Sequence, residues 1–91
     1  MTLRELSDLL DTNIVLTRYS NQGNRWSADL DRTEVKDGCC LVGEYGNAHS
    51  PESAALDYVN KIRGKTLICN AMSKEFRREL TVPESIELGV L

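Results

Sequence analysis

Asp29 and Asp31 stand two residues apart in Arg25-Trp26-Ser27-Ala28-Asp29-Leu30-Asp31, a spacing that puts both carboxylates on one face of a strand. Paired carboxylates can perform general acid–base work. Alternating acids are also the ordinary way to solvate an exposed strand face, and that is the reading adopted. The single histidine, His49, has no cysteine nearby and no serine in a nucleophile-elbow context, so it reads as a loop residue ahead of a helix. Cys39, Cys40 and Cys69 are odd in number and contain no C-x-x-C pair. A vicinal pair on a strand sends its side chains to opposite faces, and one histidine cannot complete a familiar zinc site. The three read as small buried hydrophobes, and neither metal nor cofactor is expected. Gly43-Glu44-Tyr45-Gly46 has the G-x-x-G form of an RNA clamp, but it follows a strand and its middle residues are acidic and aromatic rather than cationic. Nothing here makes an enzyme.

Charge says more by its distribution than by its sum of −3. Residues 61–78 carry Lys61, Arg63, Lys65, Lys74, Arg77 and Arg78 against Glu75 alone, inside an otherwise acidic chain. Six cations could contact several phosphates or an acidic protein patch. The pI of about 5.1 argues against a dedicated nucleic-acid module. The opposite charge gathers in and after the second strand, at Asp29, Asp31, Glu34 and Asp37, with Glu44 beyond. The loop 46–51 offers a weaker anion site through amides at a helix start.

The elements that must position these groups follow from pattern. Thr2 with Glu5 makes a capping box, and Leu3, Leu6, Leu9 and Leu10 form a helical stripe over 3–10. Ile14–Tyr19 is β-branched and aromatic. Residues 25–31 alternate, with Trp26, Ala28 and Leu30 on the inner face. Thr33–Gly38 reads as a polar connection, and Cys39–Tyr45 as the third strand. Ser50-Pro51-Glu52 opens the clearest helix, 51–63, whose face Ala55, Tyr58, Val59 and Ile62 ends at Gly64. Residues 66–70 and 77–82 read as a final strand pair, with a short helix from Ser73 as the competitor. The tail 84–91 suits either a strand or a short helix. With 91 residues there is room for one domain. The expected fold is α+β, in the order α-β-β-β-α-β-β, with helix 51–63 packed on one face of an antiparallel sheet.

The run Gly43-Glu44-Tyr45-Gly46-Asn47, then Ser50-Pro51-Glu52-Ser53-Ala54-Ala55, Tyr58, Ile62 and Gly64-Lys65, resembles small phage and prophage proteins of Gram-positive bacteria. The likeness spans roughly residues 25–83. More distantly, the chain is similar to HicB-type antitoxins, which share three strands and a helix opened by a comparable step. The resemblance implies a non-enzymatic accessory protein that binds and modulates or inhibits a host macromolecule, in the manner of anti-CRISPR inhibitors. The expected partner is a host protein, nuclease complexes included, met by an acidic face of Asp29, Asp31, Glu34, Asp37 and Glu44. Two alternatives stand beside it. One is a nucleic-acid-binding module or HicB-like antitoxin using the basic segment 61–78; the other is a protein that sequesters a small anionic nucleotide near Gly46–Ser50. No signal-peptide pattern opens the chain, and no apolar run approaches the length that spans a bilayer. The expected compartment is the cytoplasm of the bacterial host.

Overall fold

The computed structural model describes residues 1–90. The elements in chain order are α1 (Leu3–Leu9), β1 (Ile14–Tyr19), β2 (Arg25–Leu30), β3 (Thr33–Asp37), β4 (Cys40–Val42), β5 (Gly46–Ala48), α2 (Pro51–Ile62), β6 (Thr66–Cys69) and β7 (Arg78–Thr81). A single 3-10 turn, Ser20–Gln22, joins β1 to β2. The α+β class holds, with every strand pair antiparallel. The strands divide, however, into two sheets, β1-β2-β5 and β4-β3-β6-β7.

Both helices form where capping chemistry places them. Thr2 Oγ1 accepts from the Glu5 amide at 3.2 Å, while its hydroxyl donates to the Glu5 carboxylate at 3.4 Å. The expected return bond from Glu5 to the cap amide is thus replaced by a side-chain pair. Ser50 Oγ accepts from the Ser53 amide at 3.1 Å, and Pro51 occupies the first turn of α2. Gly64 takes the left-handed conformation just past the helix end. α2 then lies on the first sheet, chiefly over β2 and β5.

Two readings of the middle of the chain need correction. Thr33–Asp37 is a strand rather than a connection. Thr33 and Val35 are buried, and the charged Glu34 and Lys36 alternate with them. One apolar residue in five was too little pattern to read, although β-branching at alternate positions was there. The expected strand 39–45 is instead two short strands in different sheets: β4 pairs with β3, and β5 with β2. The chain crosses between sheets through Gly43–Tyr45, which belong to no strand.

A second crossing, at Asp31-Arg32, holds the sheets together. Arg32 and Asn70 both adopt left-handed backbone, and the Asn70 amide donates to the Arg32 carbonyl at 2.9 Å. The Asp31 carbonyl accepts from the hydroxyls of Thr12 at 2.6 Å and Thr33 at 2.9 Å. One core runs through both layers. Leu3, Leu6 and Leu10 of the N-terminal segment join Ala28, Leu30, Ala54, Ala55, Tyr58, Val59 and Ile62, together with Val35, Leu67 and Cys69 from the second sheet. Trp26 lies on the inner face as expected but is only half-buried at its edge. Residues 84–90 form neither a strand nor a helix. Glu87 makes one parallel bridge to Thr2, and Ile86 is buried. Leu91 lies outside the described residues.

Candidate functional site

The five acids of the expected partner face divide among four places. Asp29 sits half-buried on the outer face of β2, opposite Val15. Asp31 follows in the sheet-crossing turn and pairs with Arg32 at 3.4 Å. Glu34, on β3, lines an open cleft with Arg32, Asn70, Ala71, Met72 and Ser73. Asp37 and Glu44 share a small hollow with Lys36 and Lys65. Cations therefore accompany the acids in three of the four places.

Burial, then the neighbouring Asp31 charge, hold the Asp29 carboxyl above its ordinary range. An acid raised in the folded state destabilises the fold while charged, and the penalty lifts as pH falls through that raised value. Asp29→Asn is accordingly expected to raise the melting temperature at pH 7. The gain should vanish by about pH 3, where the carboxyl is protonated in both states. A melting temperature that falls at pH 7 would show that the Asp29 charge contributes favourably.

The six cations also separate. Lys61 pairs with Asp57 at 3.1 Å and donates to the Tyr45 carbonyl at 3.1 Å. The Arg63 guanidinium turns inward onto the tail, donating to the carbonyls of Glu84 at 2.6 Å and Ile86 at 2.7 Å and to Asn60 Oδ1 at 2.9 Å. Lys65 lies in the hollow with Asp37 and Glu44. Lys74 and Arg77 lie in the β6–β7 connection, Arg77 pairing with Glu79 at 3.9 Å, and Arg78 opens β7. Pairing of β6 with β7 thus brings three of the six to one end of a sheet.

That connection, residues 70–77, is the more informative surface. Its backbone is tied at several points. The Phe76 amide donates to Ser73 Oγ at 3.0 Å, the Ser73 amide to the Asn70 carbonyl at 2.9 Å, and Asn70 Nδ2 to the Phe76 carbonyl at 3.4 Å. Arg77 donates to the Ala71 carbonyl at 3.3 Å. On this tied loop Met72 is 98% exposed and Phe76 56% exposed. No protein-family model, curated protein or solved structure matches this chain.

Besides Phe76, Tyr19 and Tyr45 are exposed, and both line a cleft of about 300 Å³ on the outer face of the first sheet with Gln22, Arg25, Ser27 and Asn47. Tyr58, by contrast, is fully buried, and burial pushes its hydroxyl above the ordinary phenol range. Nor do Cys39 and Cys40 point to opposite faces. Cys39 lies in the β3–β4 turn rather than in a strand, which leaves the two exposed sulfurs 4.0 Å apart. Among the described residues, no group of three or more His, Cys, Asp or Glu is placed to hold a metal.

Proposed function

We propose that this chain is a non-enzymatic accessory protein of phage type that acts by binding a host protein, and that the β6–β7 connection is the surface it presents. The observation that carries the reading is Met72 and Phe76 held out to water on a loop whose backbone is fixed by its own hydrogen bonds. Exposing two large apolar side chains is unfavourable in the free protein. Pre-ordering the loop reduces the entropy cost of docking them, and exposed aromatic and methionine side chains are typical interface anchors. Lys74, Arg77 and Arg78 flank the pair. The fitting partner surface is therefore an apolar pocket with an acidic rim.

The basic segment as a phosphate-binding track has less support, because Arg63 is engaged by the tail and Lys61 by Asp57. In a bacterial host lysate, the tagged wild type should retain a discrete protein. Met72→Ser with Phe76→Ser should weaken that complex by at least about thirtyfold, the scale of an interface hot spot. Because both side chains are exposed, the double variant should melt as wild type does. Undiminished retention would overturn the loop assignment. Loss of the complex on reversing Asp29, Asp31 and Glu34 to Lys, with the loop intact, would instead restore the acidic face as the contact.

A further inference from the structure

The cleft on the outer face of the first sheet is separate from the β6–β7 connection. α2 covers the opposite face of this sheet, where Ala28 and Leu30 are buried. Strand alternation turns Tyr19, Arg25, Ser27 and Asn47 the other way, Ser27 stands directly across from Asn47, and Tyr45, just ahead of β5, lines the same cleft. The result is a shallow polar trough with an exposed tyrosine from each side: Tyr19 is 39% and Tyr45 53% exposed.

Its side chains are held by a chain of contacts. Arg25 Nε donates to Asn47 Oδ1 at 3.0 Å, and the Asn47 amide donates to Asp57 Oδ2 at 2.9 Å. Asp57 is paired with Lys61, whose ammonium lies 5.8 Å from the centre of the Tyr45 ring. The Asn47 amide, with help from Lys61, keeps the Asp57 carboxyl below its ordinary range despite some burial. It therefore stays charged and keeps both neighbours in place. Arg25 on β2 and Tyr45 in the segment ahead of β5 are thus positioned by one connected network.

From this arrangement we propose that the trough binds a nucleotide, a flat base carrying a phosphate. The tyrosine rings offer stacking surfaces, which accept any base. The Arg25 guanidinium, its orientation set by Asn47, offers N–H donors to a phosphate. The carboxamides of Gln22 and Asn47 supply the donor and acceptor groups that a base edge can pair with. A volume of about 300 Å³ is at the small end for ligand sites and suits one nucleotide unit. That unit is either free or part of a single strand.

The test is titration of the whole chain with AMP, GMP, CMP and UMP, followed by the NMR signals of the tyrosine rings. Adenosine, inorganic phosphate and a ten-residue oligoadenylate serve as further probes. Saturable shifts of Tyr19 and Tyr45 are expected with at least one mononucleotide, at a Kd of about 1 mM or tighter. Tyr45→Ala should weaken binding at least about fivefold, the low end for loss of one stacking partner, and Arg25→Gln by about tenfold. Leu9→Ala, at an exposed position of α1 away from the trough, should leave nucleotide binding unchanged. An oligoadenylate that binds far more tightly per nucleotide than AMP identifies a strand as the source; equal affinity identifies the free nucleotide. The proposal is overturned if no mononucleotide or oligonucleotide shifts the rings saturably, or if the two variants bind as wild type does. Equal binding of phosphate and AMP would also overturn it, leaving an anion contact with no base.

Discussion

Gly46→Val is expected to leave most of the chain unfolded at 25 °C, whereas Gly43→Val, three residues earlier, should melt close to wild type. Gly46 begins β5 where that strand passes against α2. A Cβ there would overlap the Ala54 carbonyl oxygen and lie 2.5 Å from the Tyr58 amide nitrogen and 2.9 Å from the Tyr58 Cβ. Two of those three atoms are helix backbone, so no side chain can swing aside; either the strand or the helix must move. Around Gly43 a Cβ meets nothing within 4 Å. Overpacking commonly costs about 1–3 kcal/mol, and more where the surroundings are rigid. A domain of this size has about 5 kcal/mol of stability in total, and valine's further atoms enlarge the clash. Circular dichroism melts of the two variants test this directly. If Gly46→Val retains a cooperative transition within a few degrees of wild type, β5 does not rest on α2 as described. Because Asn47 follows Gly46, the same displacement would release Arg25 and Asp57, so the strand–helix contact also supports the trough.

The contrast between Gly43 and Gly46 shows what could be read from the residues and what could not. In Gly43-Glu44-Tyr45-Gly46 both glycines look like punctuation, and the close approach that requires the second is set by a helix that begins only at Pro51. Helix α2 itself was legible nearly to the residue, because Ser50, Pro51 and Gly64 are local signals and its apolar stripe has an unambiguous period. β1, β2 and the β6–β7 pair were legible for the same reason. The split into two sheets was not. It depends on left-handed backbone at Arg32 and Asn70 and on hydroxyls that meet at the Asp31 carbonyl from Thr12 and Thr33, which are remote or unremarkable in sequence.

The candidate sites divide in the same way. Counting charges located the acids and the cations but not their partners. It could not show that Arg32 neutralises Asp31, or that Lys36 and Lys65 share a hollow with Asp37 and Glu44. Tyr45 was read as the end of a strand and Tyr19 as part of another. Their convergence on one trough needs β5 to pair with the far side of β2, a long-range contact without local signature. Met72 and Phe76 carried a signal that went unused, since two large apolar residues in a polar, patternless stretch have no helix or strand face to bury them.

Arg63→Ala is expected to cost about 2–3 kcal/mol, the range for hydrogen bonds from a charged group to otherwise unpaired acceptors. The Arg63 guanidinium binds the Glu84 and Ile86 carbonyls and Asn60 together, and so fixes the segment that places Ile86 in the core. Beyond it, the Leu3 amide donates to the Glu87 carbonyl at 3.0 Å and the Glu87 amide donates to the Met1 carbonyl at 2.9 Å, which ties α1 to the same segment. Loss of the guanidinium should therefore loosen both termini. Limited proteolysis should cut after Pro83 before any cleavage in α2, and Leu3 and Ile86 should lose amide protection together. Arg63→Lys should rescue little, because one ammonium cannot reproduce the planar fork that reaches three oxygens. A surface cation serving phosphate would behave differently. Its removal would leave the melting temperature unchanged and reduce the salt dependence of nucleic-acid affinity by about one unit of slope. If Arg63→Ala melts as wild type does while nucleic-acid binding weakens in that way, the basic segment is an interface and the inward clamp is wrong. If the chain instead loses its tail, Arg63 is a structural residue, and the cations open to a partner are those of the β6–β7 connection.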